Sequence, residues 1–135
     1  MLIIVRNGEM MQKYFKGFYL IIFAVGLTLS SAGCQIAPLM GTPVVPEGLK
    51  DGVYEGEYRK GINKAIVKVI IADGRIAEIE LVKHTASWIG KKANEIIPQR
   101  IVEQQSTQVD AISGATNSSR VIMNAVEKAI EKAYK

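Results

Sequence analysis

Lys64-Ala65-Ile66-Val67-Lys68-Val69-Ile70-Ile71-Ala72-Asp73-Gly74-Arg75-Ile76-Ala77-Glu78-Ile79-Glu80-Leu81-Val82 carries two strands and the turn between them. The first half is rich in β-branched residues, which suit a pleated, half-buried surface, and the second alternates apolar with polar positions. Asp73-Gly74 stands where the two meet. A two-residue type I′ turn needs positive φ at both central positions, and Asp-Gly is among the pairs that accept it. Upstream, Val53-Tyr54-Glu55-Gly56-Glu57-Tyr58-Arg59 alternates more weakly and adds a third run. Together the three predict an antiparallel meander with one face covered.

Downstream the period changes. Ser87 to Gln105 is helical in character, with Ala93, Ile96, Ile97, Ile101 and Val102 able to share a face. Pro98 lacks an amide donor and predicts a break into two short helices. A last helix is expected from about Asn117 to Ala133, where Val121, Ile122, Ala125, Val126, Ala129 and Ile130 form one stripe. Glu127, Lys128, Glu131 and Lys132 make its wet face, and Lys132 and Lys135 suit the negative end of the helix dipole. The fold class expected is therefore α+β, a small sheet of about three strands covered by helices, the last of them amphipathic. No internal repeat is visible, and residues 51–135 are read as one domain, close to the ~100–150 residues typical of a domain.

The amino-terminal part has a different composition. Lys13 and Lys16 precede the apolar run Phe18 to Leu29, which Ser30-Ser31-Ala32-Gly33-Cys34 follows. A basic start, an apolar centre and small residues predict a signal peptide over 1–33, and a membrane-spanning helix would need ~20 apolar residues. Met11 gives this signal a conventional length and is the expected start. Small residues before the sole cysteine are similar to a bacterial lipobox, in which Cys34 would be lipidated and hold the chain to the outer face of a membrane. From Cys34 onward Lys+Arg number 14 and Asp+Glu 12, so the body carries only +2 of the chain's +4. That balance gives no support for a nucleic-acid partner. Residues 34–50 hold Pro38, Pro43 and Pro46 with little hydrophobic period and are expected to form an extended tether. One cysteine excludes an intrachain disulfide framework, and the scattered methionines suggest no haem or copper ligand set.

Asp110-Ala111-Ile112-Ser113-Gly114-Ala115-Thr116-Asn117-Ser118-Ser119 leads into the last helix. A small-residue turn opening into a helix offers backbone N–H groups and a positive dipole end to an anion such as phosphate. On residue types alone, Thr116, Asn117 or Ser118 reads first as a helix N-cap.

Asp110-Ala111-Ile112-Ser113-Gly114-Ala115-Thr116 matches the Asp-x-x-Ser/Thr-Gly-Ala-Thr pattern, and on it the chain resembles FMN-binding domains. These are similar to the carboxy-terminal part of a flavin-carrying component of sodium-pumping NADH:quinone oxidoreductase, to its Rnf-complex relative and to single-domain secreted flavoproteins. The resemblance extends from Asp51, Gly52 and Tyr54 through Asp73-Gly74 to Ile101-Val102-Glu103-Gln104-Gln105-Ser106 and the last helix. After the third strand many members carry His-x-Glu-Thr and glycines, where this chain has His84-Thr85-Ala86-Ser87-Trp88-Ile89-Gly90.

The resemblance implies a covalent FMN, moved from FAD by a flavin transferase onto the hydroxyl of Thr116 as a phosphodiester. Gly114 and Ala115 would keep the approach open, and Ser113 and Ser118 would donate to phosphate oxygens. Asp110 would organise the turn or meet the transferase and its metal. It further implies an extracytoplasmic electron carrier, without a substrate of its own, between a membrane donor and an extracytoplasmic acceptor or reductase. An electron-feeding module of a separate reductase and a flavin-free binding or structural lipoprotein are the alternatives. Trp88 and Tyr54 are read as core aromatics at the sheet–helix junction, stacking on the flavin being the other reading. His84 has no paired carboxylate or nucleophile and is expected to be structural or at the surface. Lys91 and Lys92 are expected on a solvated helix face rather than at the phosphate.

Overall fold

The computed structural model describes residues 36–41 and 43–135. The expected signal peptide, the start at Met11 and Cys34 lie outside the described residues. Strands β1 (Gly52–Lys60), β2 (Asn63–Ala72) and β3 (Arg75–Thr85) form one antiparallel sheet in the order β1-β2-β3, the predicted meander. Asp73 and Gly74 adopt φ of 54° and 67°, as the hairpin requires. The turn is also held from outside. The Asp51 carboxylate accepts the Asp73 and Gly74 amides, each at 3.1 Å.

A 3-10 turn at Gly90–Lys92 leads into helix α1 (Ala93–Gln104), and helix α2 (Thr116–Ala133) closes the domain. The architecture is α+β. Ala65, Val67, Val69 and Ile71 point from one face of β2 into the core, where Ile76, Ile97, Ile101, Val121, Ile122 and Val126 meet them. Burial of each such Val or Ile side chain contributes about 1.5–3 kcal/mol relative to its exposure. All six residues of the predicted α2 stripe are buried. Gly56 of β1 sets how closely α2 lies on the sheet, because a Cβ there would stand 2.0 Å from the Ala125 carbonyl oxygen.

Several expectations are corrected. Helix α1 runs unbroken through Pro98, whose buried ring packs beside Ile97 and Ile101. Proline forfeits one amide bond, to the carbonyl of Asn94 four residues back, and burial of the three side chains offsets that loss. Ile96 is not in the core but exposed, Pro98 taking the inward place.

From Ile36 on, the stretch expected to act as a free tether is a strap across the domain. Asn124 on α2 accepts the Met40 amide at 3.1 Å through Oδ1 and donates Nδ2 to the Pro38 carbonyl at 2.8 Å. Arg120 donates to the Ala37 carbonyl at 3.1 Å, and Asn117 Oδ1 accepts the Ala37 amide at 3.0 Å. Farther along, Val44 N donates to Gln105 O, and Val45 exchanges two hydrogen bonds with the Tyr134 hydroxyl. Ala37 and Leu49 are buried. The physical reason is that proline-interrupted backbone can take its hydrogen bonds from side chains instead of from a regular ladder. The strap also explains why Asn124, off the apolar stripe, is almost fully buried.

Gln105 ends α1 in the left-handed region, φ 49° and ψ 44°. Its carboxamide accepts the Ile76 amide and donates to the Ile76 carbonyl, both at 2.9 Å. In this way one side chain pairs with β3 as a neighbouring strand would, next to the register shift at Ile70/Ile71.

Candidate functional site

The turn before α2 is built from three local devices. Gly114 takes φ +79°, a conformation that a Cβ would strain. Ala115 N donates to Ile112 O at 2.9 Å, closing the turn. Ser119, fully buried, then fastens it to the helix, its Oγ accepting the Ile112 amide at 3.1 Å and donating to the Ala115 carbonyl at 2.9 Å. Arg100 of α1 donates to the Asp110 carbonyl at 2.6 Å and holds the turn's entry.

The N-cap of α2 is Ala115, and no side chain caps the helix. The capping alternative is thereby answered, because Thr116, Asn117 and Ser118 occupy the first three helical positions instead. The helical ladder opens with Ser119 N donating to Ala115 O at 2.9 Å. Amides of a first turn have no partner within the helix, and among the described residues no side chain caps them. The hydroxyl of Thr116 therefore sits at the positive end of an 18-residue helix without a side-chain cap.

The other expected site residues separate into two groups. Ser113 and Gly114 are exposed and Thr116 is half-buried, so the three present an open rim. Asp110 is exposed too, but Ser119 organises the turn, and Arg100 holds Asp110 by its backbone carbonyl rather than by its carboxylate. Ala115 is buried. Ser118 is 4% exposed and faces the loop before α1, where a Cβ on Gly90 would come within 2.3 Å of Ser118 Oγ. Asn117 serves the strap through Ala37.

The loop from Ala86 to Lys92 borders this turn. Ser87 folds it, its Oγ accepting the Gly90 amide at 3.3 Å and its carbonyl the Lys91 amide at 3.1 Å. Ile89 Cγ2 lies 3.7 Å from where a Cβ on Gly114 would stand. Trp88, read from sequence as a core aromatic, is 75% exposed, because its neighbours Ile89 and Gly90 take the inward places. Tyr54 is partly buried and packs on the core, as expected. His84 is half-buried, and its Nδ1 meets Asn94 Oδ1 at 2.6 Å, tying β3 to α1. Lys91 and Lys92 are exposed on the 3-10 turn.

Sequence reasoning missed Ser119, Gly90 and Arg100, and it read Asn117 as an N-cap candidate rather than as a partner of Ala37. A serine four residues after an alanine carries no signal until the turn's path is known. A shallow groove lined by Ala77, Glu78, Ile79, Pro98, Gln99, Val102 and Glu103 lies between β3 and α1, and no residue of the 110–119 turn borders it.

The residues of the turn fit a flavin phosphate. They offer an uncapped helix start, a hydroxyl at its first position and a glycine where the backbone must be approached. The FMN-binding domain family matches residues 61–131 of the chain. A protein of Treponema pallidum (strain Nichols), named only as uncharacterized, is 39% identical over 92 residues, covering 64% of this chain and 24% of that protein. An NADH:fumarate oxidoreductase of Klebsiella pneumoniae (strain 342) is 32% identical over 87 residues, 64% of this chain and 9% of the enzyme. An NADH:acrylate oxidoreductase of Vibrio harveyi is 34% identical over 91 residues, 66% of this chain and 9% of the enzyme. The chain thus spans a quarter or less of these relatives. The crystal structure of the CPE2226 protein from Clostridium perfringens superposes with a TM-score of 0.51 at 25% identity, over 63% of this chain and 88% of that one. The family match supports FMN as cofactor and, with the two oxidoreductases, a flavin electron-carrier role. With half of its length inside the match, the chain belongs to the family of FMN-binding domains.

Proposed function

We propose that this domain is an extracytoplasmic electron carrier whose FMN is joined to Thr116 through a phosphodiester. The observation that carries the reading is the start of α2, where Thr116 stands at the first helical position behind an alanine N-cap. The helix dipole and the first-turn amides stabilise a phosphate placed there, and they lower the cost of its remaining charge. Attachment is a transfer. The Thr116 oxygen forms a bond to the flavin-side phosphorus of FAD, the pyrophosphate bond breaks, AMP leaves and the hydroxyl proton is lost to a base. A flavin transferase supplies that base and a metal, and the exposed Asp110 is available to meet it. Gly114 leaves the approach free of a Cβ, and Ser113, exposed beside it, donates to the phosphate.

When bound, the isoalloxazine ring supplies the redox chemistry, and the protein sets its position and exposure. A permanent link suits a carrier outside the cytoplasm, where a dissociated flavin would be diluted away. In this reading Cys34 is lipidated after removal of the signal, and electrons pass from a membrane donor to an extracytoplasmic acceptor, without a substrate of the domain's own.

Thr116→Ala tests the attachment. Coexpression with a flavin transferase adds the mass of one FMN moiety to the wild type and nothing to the variant. The change removes one half-buried hydroxyl, so stability stays within about 0.5 kcal/mol of wild type. Full flavin mass on Thr116→Ala would move the link to another residue.

A second reading is favoured by the two oxidoreductases, of which this chain matches only 9% each. There the domain feeds electrons to a separate reductase. Copurification of a reductase with the tagged native protein supports that reading, and a stable carrier alone supports the first.

A further inference from the structure

Trp88 is the only tryptophan in the chain, and it is 75% exposed. An aromatic side chain of this size buries 150–250 Å² when it finds a partner, so leaving it in water forgoes a large apolar contact. Its exposure does not come from a loose loop. The backbone from Ser87 to Lys92 is folded by the Gly90 N–Ser87 Oγ, Lys91 N–Ser87 O and Lys92 N–Ile89 O hydrogen bonds. The same loop touches the attachment turn twice. Ile89, next to Trp88 in the chain, lies against Gly114, and Gly90, two residues on, lies against Ser118. Thr116 is midway between those two contacts in sequence. An exposed indole thus stands on a folded loop that borders the turn carrying Thr116.

We propose that Trp88 stacks on the isoalloxazine ring of the flavin carried by Thr116 and covers one of its faces. The proposal rests on the flavin attachment proposed above. Two flat π-systems gain from offset stacking beyond their buried area, and an exposed tryptophan brought against a tethered ring needs no change in the core. The covered face is shielded from water, and the other face is left to the electron partners. Trp88 is in this sense a binding residue for the ring, while the phosphate end is held by the helix start.

The test uses the intact flavinylated protein and its Trp88→Ala and Trp88→Phe variants, with intact mass read on each. A stacked indole quenches flavin emission, so Trp88→Ala raises emission per bound flavin several-fold and lengthens its lifetime. Trp88→Phe falls between the two, because a smaller ring stacks but quenches less. As the sole tryptophan, Trp88 also reports from its own side, its emission being strongly reduced in the flavinylated protein relative to the flavin-free one. All three proteins carry the same flavin mass in this outcome. Equal flavin emission and lifetime in wild type and Trp88→Ala at equal mass would overturn the stacking while leaving the attachment intact. Unchanged flavin emission together with slower electron delivery in Trp88→Ala would overturn it in favour of a contact with a protein partner. Absence of flavin mass on the wild type would overturn both proposals, and the mass arm separates that case from the others.

Discussion

Helix α2 meets glycine twice, at Gly56 under its middle and at Gly90 beside its first turn, and the two contacts differ in kind. At Gly56 a Cβ would meet backbone, 2.0 Å from Ala125 O and 2.7 Å from Ala129 N. At Gly90 it would meet side chains, 2.3 Å from Ser118 Oγ and 2.9 Å from Ala86 Cβ. Backbone of a packed helix cannot rotate away, whereas a serine hydroxyl can change rotamer. The contact under the middle of α2 is therefore rigid, and the one beside its first turn is adjustable. On the attachment proposed above, folding and flavin placement depend on different contacts, and substitutions at the two glycines should separate them.

Gly56→Ala is expected to have the largest effect. Separating α2 from β1 disturbs the packing on which the α2 stripe depends, at a cost of about 3 kcal/mol or more. Reduced chain entropy in the unfolded state returns only about 0.4–1 kcal/mol. For a domain of this size a loss of 1 kcal/mol lowers the Tm by roughly 4–8 °C, so a fall of more than about 10 °C is expected. A melting curve within a few degrees of wild type would show that the helix does not rest on Gly56.

Gly90→Ala should cost less, about 1–2 kcal/mol, because Ser118 Oγ can turn aside and only Ala86 and Ser118 Cβ need to give way. Adding Ser118→Ala should restore much of the lost Tm, since the nearest clashing atom is then gone. No single side-chain change near Gly56 should do the same. Absence of rescue at Gly90 would remove the distinction between the two contacts.

The same contrast explains what could be read from the sequence. The meander and the α2 stripe were legible because burial on one face imposes a period of 2 or 3.6, and Asp73-Gly74 because its turn type restricts residue choice. The choice of Thr116 rests on a seven-residue pattern alone. The strap was not, since Asn117, Arg120 and Asn124 hold backbone groups of residues 37–40 about 80 positions away, and such bonds leave no period. Gly56 and Gly90 look like any other glycine until α2 and its first turn are laid against them. Pro98 misleads for a related reason. Its lost hydrogen bond is visible in the sequence, and the burial that offsets it is not. Trp88 reads as a core residue because large aromatics usually are, and only the path of Ile89 and Gly90 shows it to be outside.

Ser119→Ala is expected to cost about as much stability as Gly90→Ala and far less than Gly56→Ala, and it probes the start of α2 directly. Ser119 Oγ is the one side-chain atom that binds both limbs of the turn, the Ile112 amide and the Ala115 carbonyl. Each of the two hydrogen bonds contributes about 1 kcal/mol, so the Tm should fall about as far as with Gly90→Ala and less than with Gly56→Ala. None of the contacts on Gly56 changes, and the sheet and α2 stay packed. What changes is the path from Ile112 to Ala115, and with it the position from which Thr116 must present its hydroxyl. Misplacement of a reacting group by a fraction of an ångström to 1 Å is felt strongly in a transfer step, by as much as ~10²-fold. Flavin transfer to Ser119→Ala is therefore expected to be slower than to wild type in a time course of intact mass, while the yield at long times is the same because Thr116 is still present. That pattern differs from the complete loss expected for Thr116→Ala. Transfer at the wild-type rate would mean that the transferase reshapes the turn on binding, and Ser119 would then matter to the resting fold alone.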